Sequence, residues 1–204
     1  MIRATVLTVL VGVLASPAAA QQSEDVAICK SDVGTHPLKV VIDACTHAIT
    51  SQSLSNSDLA IAYVSRGNAF DDSGDQQGAL ADYSRAIALN SNDAFIYLNR
   101  GVLYQNNGHA SEAIEDFTRS IRLLPDHQST YKDRGQAYAT LGRYKEAIAD
   151  YDQAIRLKPD YADAYFNRGV AYHAAGDQLH AVADLDEAVR LKPDLAAKTT
   201  KYRN

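Results

Sequence analysis

The chain has 204 residues, of which 46% are hydrophobic and 22% charged, and with this composition most of the chain is not expected to be disordered. The net charge is −5, so the chain lacks the excess of basic residues that a phosphate-binding protein has. Nucleic acid and anionic membrane surfaces are therefore disfavoured as partners. Two cysteines are too few for a Cys-rich zinc module or a disulfide-dense scaffold.

The first twenty residues have the pattern of a secretory signal peptide. Arg3 supplies a positive start, residues 6–14 form an apolar run, and the alanines at 18–20 fit a small-residue cleavage site. An uncleaved membrane anchor is the alternative, which a run ending this early at Pro17 disfavours. We therefore expect a signal peptide at residues 1–20 and an exported mature chain, periplasmic or secreted if bacterial, with no membrane insertion after cleavage.

Residues 21–58 contain both cysteines. Val41–Ile49 aligns with Ala79–Ile87 at a shift of 38 residues, so this segment is predicted to be a degenerate N-terminal helical hairpin. An oxidising compartment favours a Cys29–Cys45 disulfide, which would join the two helices of the hairpin. Two free thiols that only fill the core are the alternative.

Residues 59–193 repeat with a period of 34. Arg-Gly pairs recur at 66–67, 100–101, 134–135 and 168–169, and a second glycine follows each pair, at Gly74, Gly108, Gly142 and Gly176. The apolar spacing within each unit is helical, and the second glycine lies where a first helix must end. Each unit is thus predicted to be a helical hairpin that buries its apolar faces by stacking on its neighbours.

These units resemble the tetratricopeptide repeat family. Counted over 60–93, 94–127, 128–161 and 162–195, position 4 is always Tyr, position 8 Gly, position 11 aromatic and position 20 Ala. Leu185 at position 24, Ser120 at position 27 and Ser91 at position 32 depart from the pattern, and position 7 is Arg where the family often has Leu. The resemblance implies an all-α fold, a right-handed superhelical solenoid of tetratricopeptide helical hairpins. Residues 194–204 begin like a fifth repeat and stop, which predicts a C-terminal capping helix or tail.

Little in the chain points to chemistry. The six histidines form no HExxH pair and share no ligand spacing with the cysteines, and no GxSxG, GxxxxGK or GxGxxG motif is present. Asp150 and Asp152 lie two apart on a predicted helix, so their side chains diverge by about 200°. We therefore expect no catalytic residues, no metal site and no cofactor.

Every repeat has one arginine and one aspartate at the same positions, and we call each row of equivalent residues a ladder. The arginine ladder is Arg66, Arg100, Arg134 and Arg168, and the aspartate ladder is Asp82, Asp116, Asp150 and Asp184. A feature present in all four units is most simply structural, so we expect these charges to pair between helices or repeats. A row of arginines that binds anions is the alternative.

Function is expected where the repeats differ. In the family, the first helix of each repeat lines the concave groove, and the groove residues that this implies here are Asn68, Phe95, Leu98, Asn99, Val102, Asp133, Gln136, Phe166, Asn167 and Val170. An apolar strip flanked by amides suits an extended or helical peptide, whose backbone the amides can bond. Ile61 and Phe95 are either open to that groove or covered by adjacent repeats.

Some family members clamp a terminal carboxylate with Lys, Asn and Arg, at places that hold Val64, Asn68, Asn99, Ser129 and Asp133 here. The cations are missing, so this mode of binding is not expected. The resemblance implies an exported, non-enzymatic adaptor or scaffold that binds a peptide segment of a partner protein. A self-associating structural module is the alternative, and a small-molecule binder or an enzyme is less favoured.

Overall fold

The computed structural model describes residues 16–31, 34–51, 53–90 and 92–202, and these residues form helices and turns without a strand. The long helices are α1 (Pro17–Cys29), α2 (Leu38–Thr50), α3 (Asn56–Ser73), α4 (Gln76–Leu89), α5 (Ala94–Asn106), α6 (Ala110–Leu123), α7 (Gln128–Thr140), α8 (Tyr144–Leu157), α9 (Ala162–Ala174) and α10 (Gln178–Leu191). Each helix packs mainly against the helix before it and the helix after it. The predicted all-α solenoid of hairpins is therefore confirmed.

Glycines allow the two helices of each hairpin to turn and to approach closely. Gly74, Gly108, Gly142 and Gly176 follow the first helices with φ of +71° to +87°, a conformation that glycine adopts without steric cost. The glycine of each Arg-Gly pair lies under a buried residue of the second helix. A β-carbon on Gly101 would stand 2.8 Å from Cε1 of Phe117, so only glycine permits this crossing distance.

The core repeats with the same period as the sequence. Position 24, occupied by Tyr83, Phe117, Tyr151 and Leu185, is at most 2% exposed in each hairpin. The alanines at position 20 are fully buried beside these large side chains. Alternating small and large residues let the helices interdigitate at the density of a protein interior.

The two charged ladders pair with each other in every hairpin. The Nε and Nη2 atoms of each ladder arginine donate to both carboxylate oxygens of the aspartate sixteen residues later, at 2.7–2.9 Å. This bidentate geometry suits a guanidinium better than an ammonium group. The prediction of structural pairing is confirmed, because the arginines that would form an anion-binding row already hold buried carboxylates.

The same arginines also join neighbouring hairpins. The Nη1 atom of each donates to the second helix of the preceding hairpin, at Thr46, Ser84, Thr118 and Asp152 in turn. Each guanidinium also lies 5.4–6.0 Å from the centre of at least one aromatic ring on its own helix. The arginine at position 7 thus connects three helices: its own, the second helix of its hairpin and the second helix of the preceding hairpin.

The N-terminal hairpin continues the stack. Cys29 at the end of α1 and Cys45 in α2 form the predicted disulfide, and both are buried against Ala62 of α3. Arg66 of α3 reaches back to Thr46 of α2, just as each of the other ladder arginines reaches back to the hairpin before its own. Of the predicted signal peptide, residues 1–15 lie outside the part of the chain that the structure describes. No helix in the described part of the chain combines the length and hydrophobicity needed to cross a bilayer.

The C-terminal residues fold back onto the last hairpin. A 3-10 turn at Pro193–Leu195 is followed by a single helical turn, α11 (Ala196–Thr199), and by a second 3-10 turn at Thr200–Tyr202. Leu195 and Thr199 are buried. We call residues 193–202 the C-terminal tail.

Candidate functional site

The predicted groove residues lie on α3, α5, α7 and α9, the first helices of the four hairpins. Two cavities open between consecutive first helices. The N-terminal cavity, of about 260 Å³, lies between α3 and α5 and is lined by Asn68, Asp71, Asp72, Tyr83, Asn99 and Val102. The C-terminal cavity, of about 410 Å³, lies between α7 and α9, and the predicted residues Gln136, Phe166, Asn167 and Val170 line it.

A hydrogen-bond network organises the N-terminal cavity. The Tyr83 hydroxyl donates to Oδ1 of Asn68 at 2.8 Å, and Nδ2 of Asn99 donates to the same oxygen at 3.2 Å. Among the described residues, Nδ2 of Asn68 and Oδ1 of Asn99 have no hydrogen-bond partner, and neither atom is buried. The network therefore presents one donor and one acceptor to the cavity, which is the complement of a peptide group.

The same cavity has an acidic side. Burial, together with the neighbouring charge of Asp72, raises the pKa of Asp71. Burial is also the main cause that raises the pKa of Tyr83, and the charges of Asp71 and Asp72 add to it. Tyr83 is therefore a neutral donor at physiological pH, and the site disfavours an additional negative charge.

Phe95 and Leu98 occupy different surroundings on α5. Phe95 is 52% exposed and meets the ring of His127 edge-on, with 5.5 Å between ring centres. Ile61 on α3 is 45% exposed, so neighbouring repeats do not cover either side chain. Leu98 and Val102 are only partly exposed, because both also pack against the core around Phe117.

Asp133 is engaged at the middle of the groove. Its carboxylate accepts from Nζ of Lys132 at 2.7 Å, and both side chains are largely buried. Burial lowers the pKa of Lys132, but its hydrogen bond to Asp133 and the charge of that carboxylate outweigh this effect and raise the pKa. Lys132 therefore stays charged and holds the Asp133 carboxylate in an ion pair.

The C-terminal cavity is more aromatic than the N-terminal one. Phe166 and Tyr202 line it together with Tyr144 and Tyr151, while Asn167 and Gln136 add amides. Burial raises the pKa of Tyr151, and the charges of Asp150 and Asp133 raise it further. This cavity can therefore take an apolar or aromatic group and bond a polar group beside it.

Sequence reasoning missed several lining residues. Asp71 and Ala139 line the two cavities from position 12 of first helices, and the resemblance assigns the first helices to the groove, so this signal was available. Tyr83 lies on a second helix and reaches the cavity only through its hydroxyl. Nothing in the sequence places Tyr202 near the groove, because its position depends on how the tail folds back.

The described ranges hold no cluster of three or more His, Cys, Asp or Glu side chains arranged to bind a metal ion. His173 instead bonds Gln178, and His180 bonds Asp177 within the same turn.

Solved structures of several repeat proteins are similar to this chain. A crystal structure of the MamA protein has a TM-score of 0.76 at 21% identity, covering 87% of this chain and 94% of that one. YrrB, titled a TPR protein with an unusual peptide-binding site, has a TM-score of 0.72 at 22% identity, covering 80% and 84%. The first TPR of Spaghetti, bound to an HSP90 peptide, has a TM-score of 0.52 at 27% identity, covering 54% and 87%. The likeness to MamA and YrrB shows the fold.

Sequence comparisons agree with the structure. No curated protein sequence matches the chain significantly. A family model described as TPR repeat matches residues 67–108 and 135–176, and two described as tetratricopeptide repeat match 94–127 and 162–195. These segments together span more than half of the chain and include most of each predicted repeat. The chain therefore belongs to the tetratricopeptide repeat family.

Proposed function

We propose that this protein is an exported, non-enzymatic adaptor that binds a peptide segment of a partner protein in the groove formed by α3, α5, α7 and α9. The observation that carries the proposal is the solvent-accessible amide donor of Asn68 and the solvent-accessible amide acceptor of Asn99, which face a cavity beside apolar Val102. A peptide backbone offers the matching carbonyl and N–H groups. Export rests on the signal-peptide pattern of residues 1–20.

Similar proteins support this assignment of the groove. The titles of YrrB and of the Spaghetti complex name a peptide-binding site and a bound peptide, respectively. The ligand chemistry differs here from a clamp built of cations, because Asp133 lies where such a clamp needs a cation. We therefore assign to this groove a peptide held by its backbone and by apolar side chains, rather than by a terminal carboxylate.

The test is affinity capture from the native exported fraction, with the wild-type protein and an Asn99→Ala/Asn167→Ala variant as baits. An Asn56→Ala/Asn106→Ala variant is the matched control, because both of these asparagines are exposed outside the two cavities. A captured partner is then reduced to its binding peptide and titrated by calorimetry. The loss of two hydrogen bonds predicts a cost of about 1–3 kcal/mol, or roughly 5- to 150-fold in Kd.

Equal binding to wild type and to the Asn99→Ala/Asn167→Ala variant would refute the groove as the site. Loss of binding in the control as well would indicate a general surface effect. A native protein that keeps residues 1–20 at its amino terminus would refute the cleaved signal peptide on which export rests. Amino-terminal sequencing of the native protein decides this last point.

Self-association is the second candidate, and exposed apolar side chains favour it. Leu179 at the start of α10 is 81% exposed, and Phe95 and Ile61 are about half exposed. Such residues, on different parts of the solenoid, would pair two copies in place of a ligand. Light scattering over a range of concentrations tests this candidate, since a mass that stays monomeric would refute it.

A further inference from the structure

The C-terminal tail ends against the face of α9 that belongs to the groove. Phe166 and His173 lie seven residues apart on α9, so they share one face of the helix. The Tyr202 ring meets Phe166 edge-on with 6.2 Å between ring centres, and meets His173 edge-on at 5.6 Å. We call Phe166, His173 and Gln178 the aromatic socket.

Polar contacts fix the backbone of the tail in this socket. Nε2 of Gln178 donates to the carbonyl oxygen of Tyr202 at 2.9 Å. That donation orients the Gln178 amide, so its Oε1 faces Nδ1 of His173 at 2.8 Å and accepts a hydrogen bond from it. The socket therefore holds an aromatic side chain and the main-chain carbonyl of the same residue, which is how a groove recognises a peptide.

The tail fills space that a ligand of the groove would use. Tyr202 lines the C-terminal cavity together with Phe166, Asn167 and Val170, three of the residues predicted to bind a partner. Leu195 and Thr199 are buried and anchor the tail just before this point. The Tyr202 ring covers part of Phe166, so a peptide bound along α9 could contact the whole Phe166 side chain only after displacing Tyr202.

The tail is also tethered beside the socket. Because it belongs to the same chain, it acts at a high effective concentration and competes with free ligands.

We propose that residues 196–202 are a tethered occupant of the aromatic socket, and that a partner segment displaces them with an aromatic residue of its own. This inference rests on the proposed function, to which it adds the chemistry of the partner at one end of the groove. The tail then sets a threshold, because only a partner segment with a well-placed aromatic residue competes with Tyr202.

The probe for this proposal is a fluorescein-labelled synthetic peptide with the sequence of residues 193–204, titrated by fluorescence anisotropy into full-length proteins. In the wild type the native tail blocks the socket, whereas Tyr202→Ala empties it. We expect the Tyr202→Ala protein to bind the peptide at least tenfold more tightly than wild type. Ser73→Ala is the matched control, because Ser73 is exposed at the end of α3, away from the tail and the socket, and this protein should bind the peptide like wild type.

Two further measurements locate the effect in the socket. A Phe166→Ala/Tyr202→Ala protein should lose the added affinity, and a peptide carrying alanine in place of Tyr202 should bind none of the proteins. Circular dichroism establishes that each variant keeps the helical content of wild type. Equal affinity of wild type and Tyr202→Ala for the peptide, or binding that survives Phe166→Ala, would overturn the proposal.

Light scattering separates the intramolecular arrangement from an exchange of tails between two copies. A wild-type dimer that becomes monomeric in Tyr202→Ala would overturn the intramolecular arrangement. The peptide assay needs no partner, so its outcome is independent of the affinity-capture experiment. Peptide binding without partner capture would refute the proposed function alone, and the reverse result would refute only the role of the tail.

Discussion

Replacing Arg134 by methionine would leave the Asp150 carboxylate buried without its cation. The side chains of Arg134 and Asp150 are 17% and 8% exposed, and two hydrogen bonds of 2.7 Å join them. Breaking a buried pair by removing one partner costs about 3–5 kcal/mol, because the remaining charge has lost its compensation. Arg134 also donates to Thr118 of the preceding hairpin, so the variant should weaken the contact between the second and third hairpins.

The assay is urea unfolding followed by circular dichroism, because the chain contains no tryptophan. Stacked repeats need not unfold in one step, so midpoints are compared together with the number of transitions. An Arg134→Met/Asp150→Leu protein should recover most of the loss, since well-packed apolar residues can replace a buried ion pair. Arg190→Met, which removes an exposed arginine paired with Glu187, should leave the midpoint unchanged.

The reasoning would be refuted if Arg134→Met unfolded at the same urea concentration as Arg190→Met. It would also be refuted if the double variant were as unstable as Arg134→Met, because an uncompensated carboxylate would then not be the cause. The other three ladder arginines have the same bidentate contacts. Arg100→Met should therefore give a loss of similar size.

Three other predictions concern packing, the disulfide and ionisation. Gly101→Ala should destabilise the protein by about 1–3 kcal/mol, because its β-carbon would clash with the buried ring of Phe117, and thermal unfolding checks this. Cys29→Ala/Cys45→Ala should lower the free energy of unfolding by about 3 kcal/mol, because the disulfide closes a loop over 16 residues. Unchanged unfolding of this variant, or two alkylatable thiols in fresh exported wild-type protein, would contradict the prediction. The raised pKa of Tyr83 means that the folded protein keeps this proton while the unfolded chain releases it, so stability should fall as pH rises above about 10. Between about pH 9 and pH 11, the urea midpoint of the Tyr83→Phe protein should fall less than the midpoint of wild type. An equal fall in both proteins would contradict the assignment to Tyr83.

The period of 34 made most of the fold readable from the sequence. The Arg-Gly pair, the turn glycine and the buried alanine each occur once in all four repeats, so the same chain tests one interpretation of the hairpin four times. The pairing of the Arg and Asp ladders followed from the same repetition. Close neighbours in the fold are also close neighbours in the sequence, which is why local pattern carries so much information in a solenoid.

The groove was less readable, because its residues are the ones that do not repeat. Sequence placed Asn68 and Asn99 on the right helices, but it gave no means of telling which of their atoms are bonded. That depends on the Tyr83 hydroxyl, which reaches them from a second helix. Leu98 shows the opposite case, because a residue expected in the groove also packs into the core.

By itself, the sequence determined the helical hairpins, their stacking and the face on which partners are expected, since these follow from spacing along one chain. Only the tertiary structure decided that each ladder arginine ties three helices together and that Tyr202 turns back onto Phe166 and His173. The physical reason is that helix periodicity fixes which side of a helix a residue occupies. Its partners across a crossing depend on the packing of other helices, which no local pattern records.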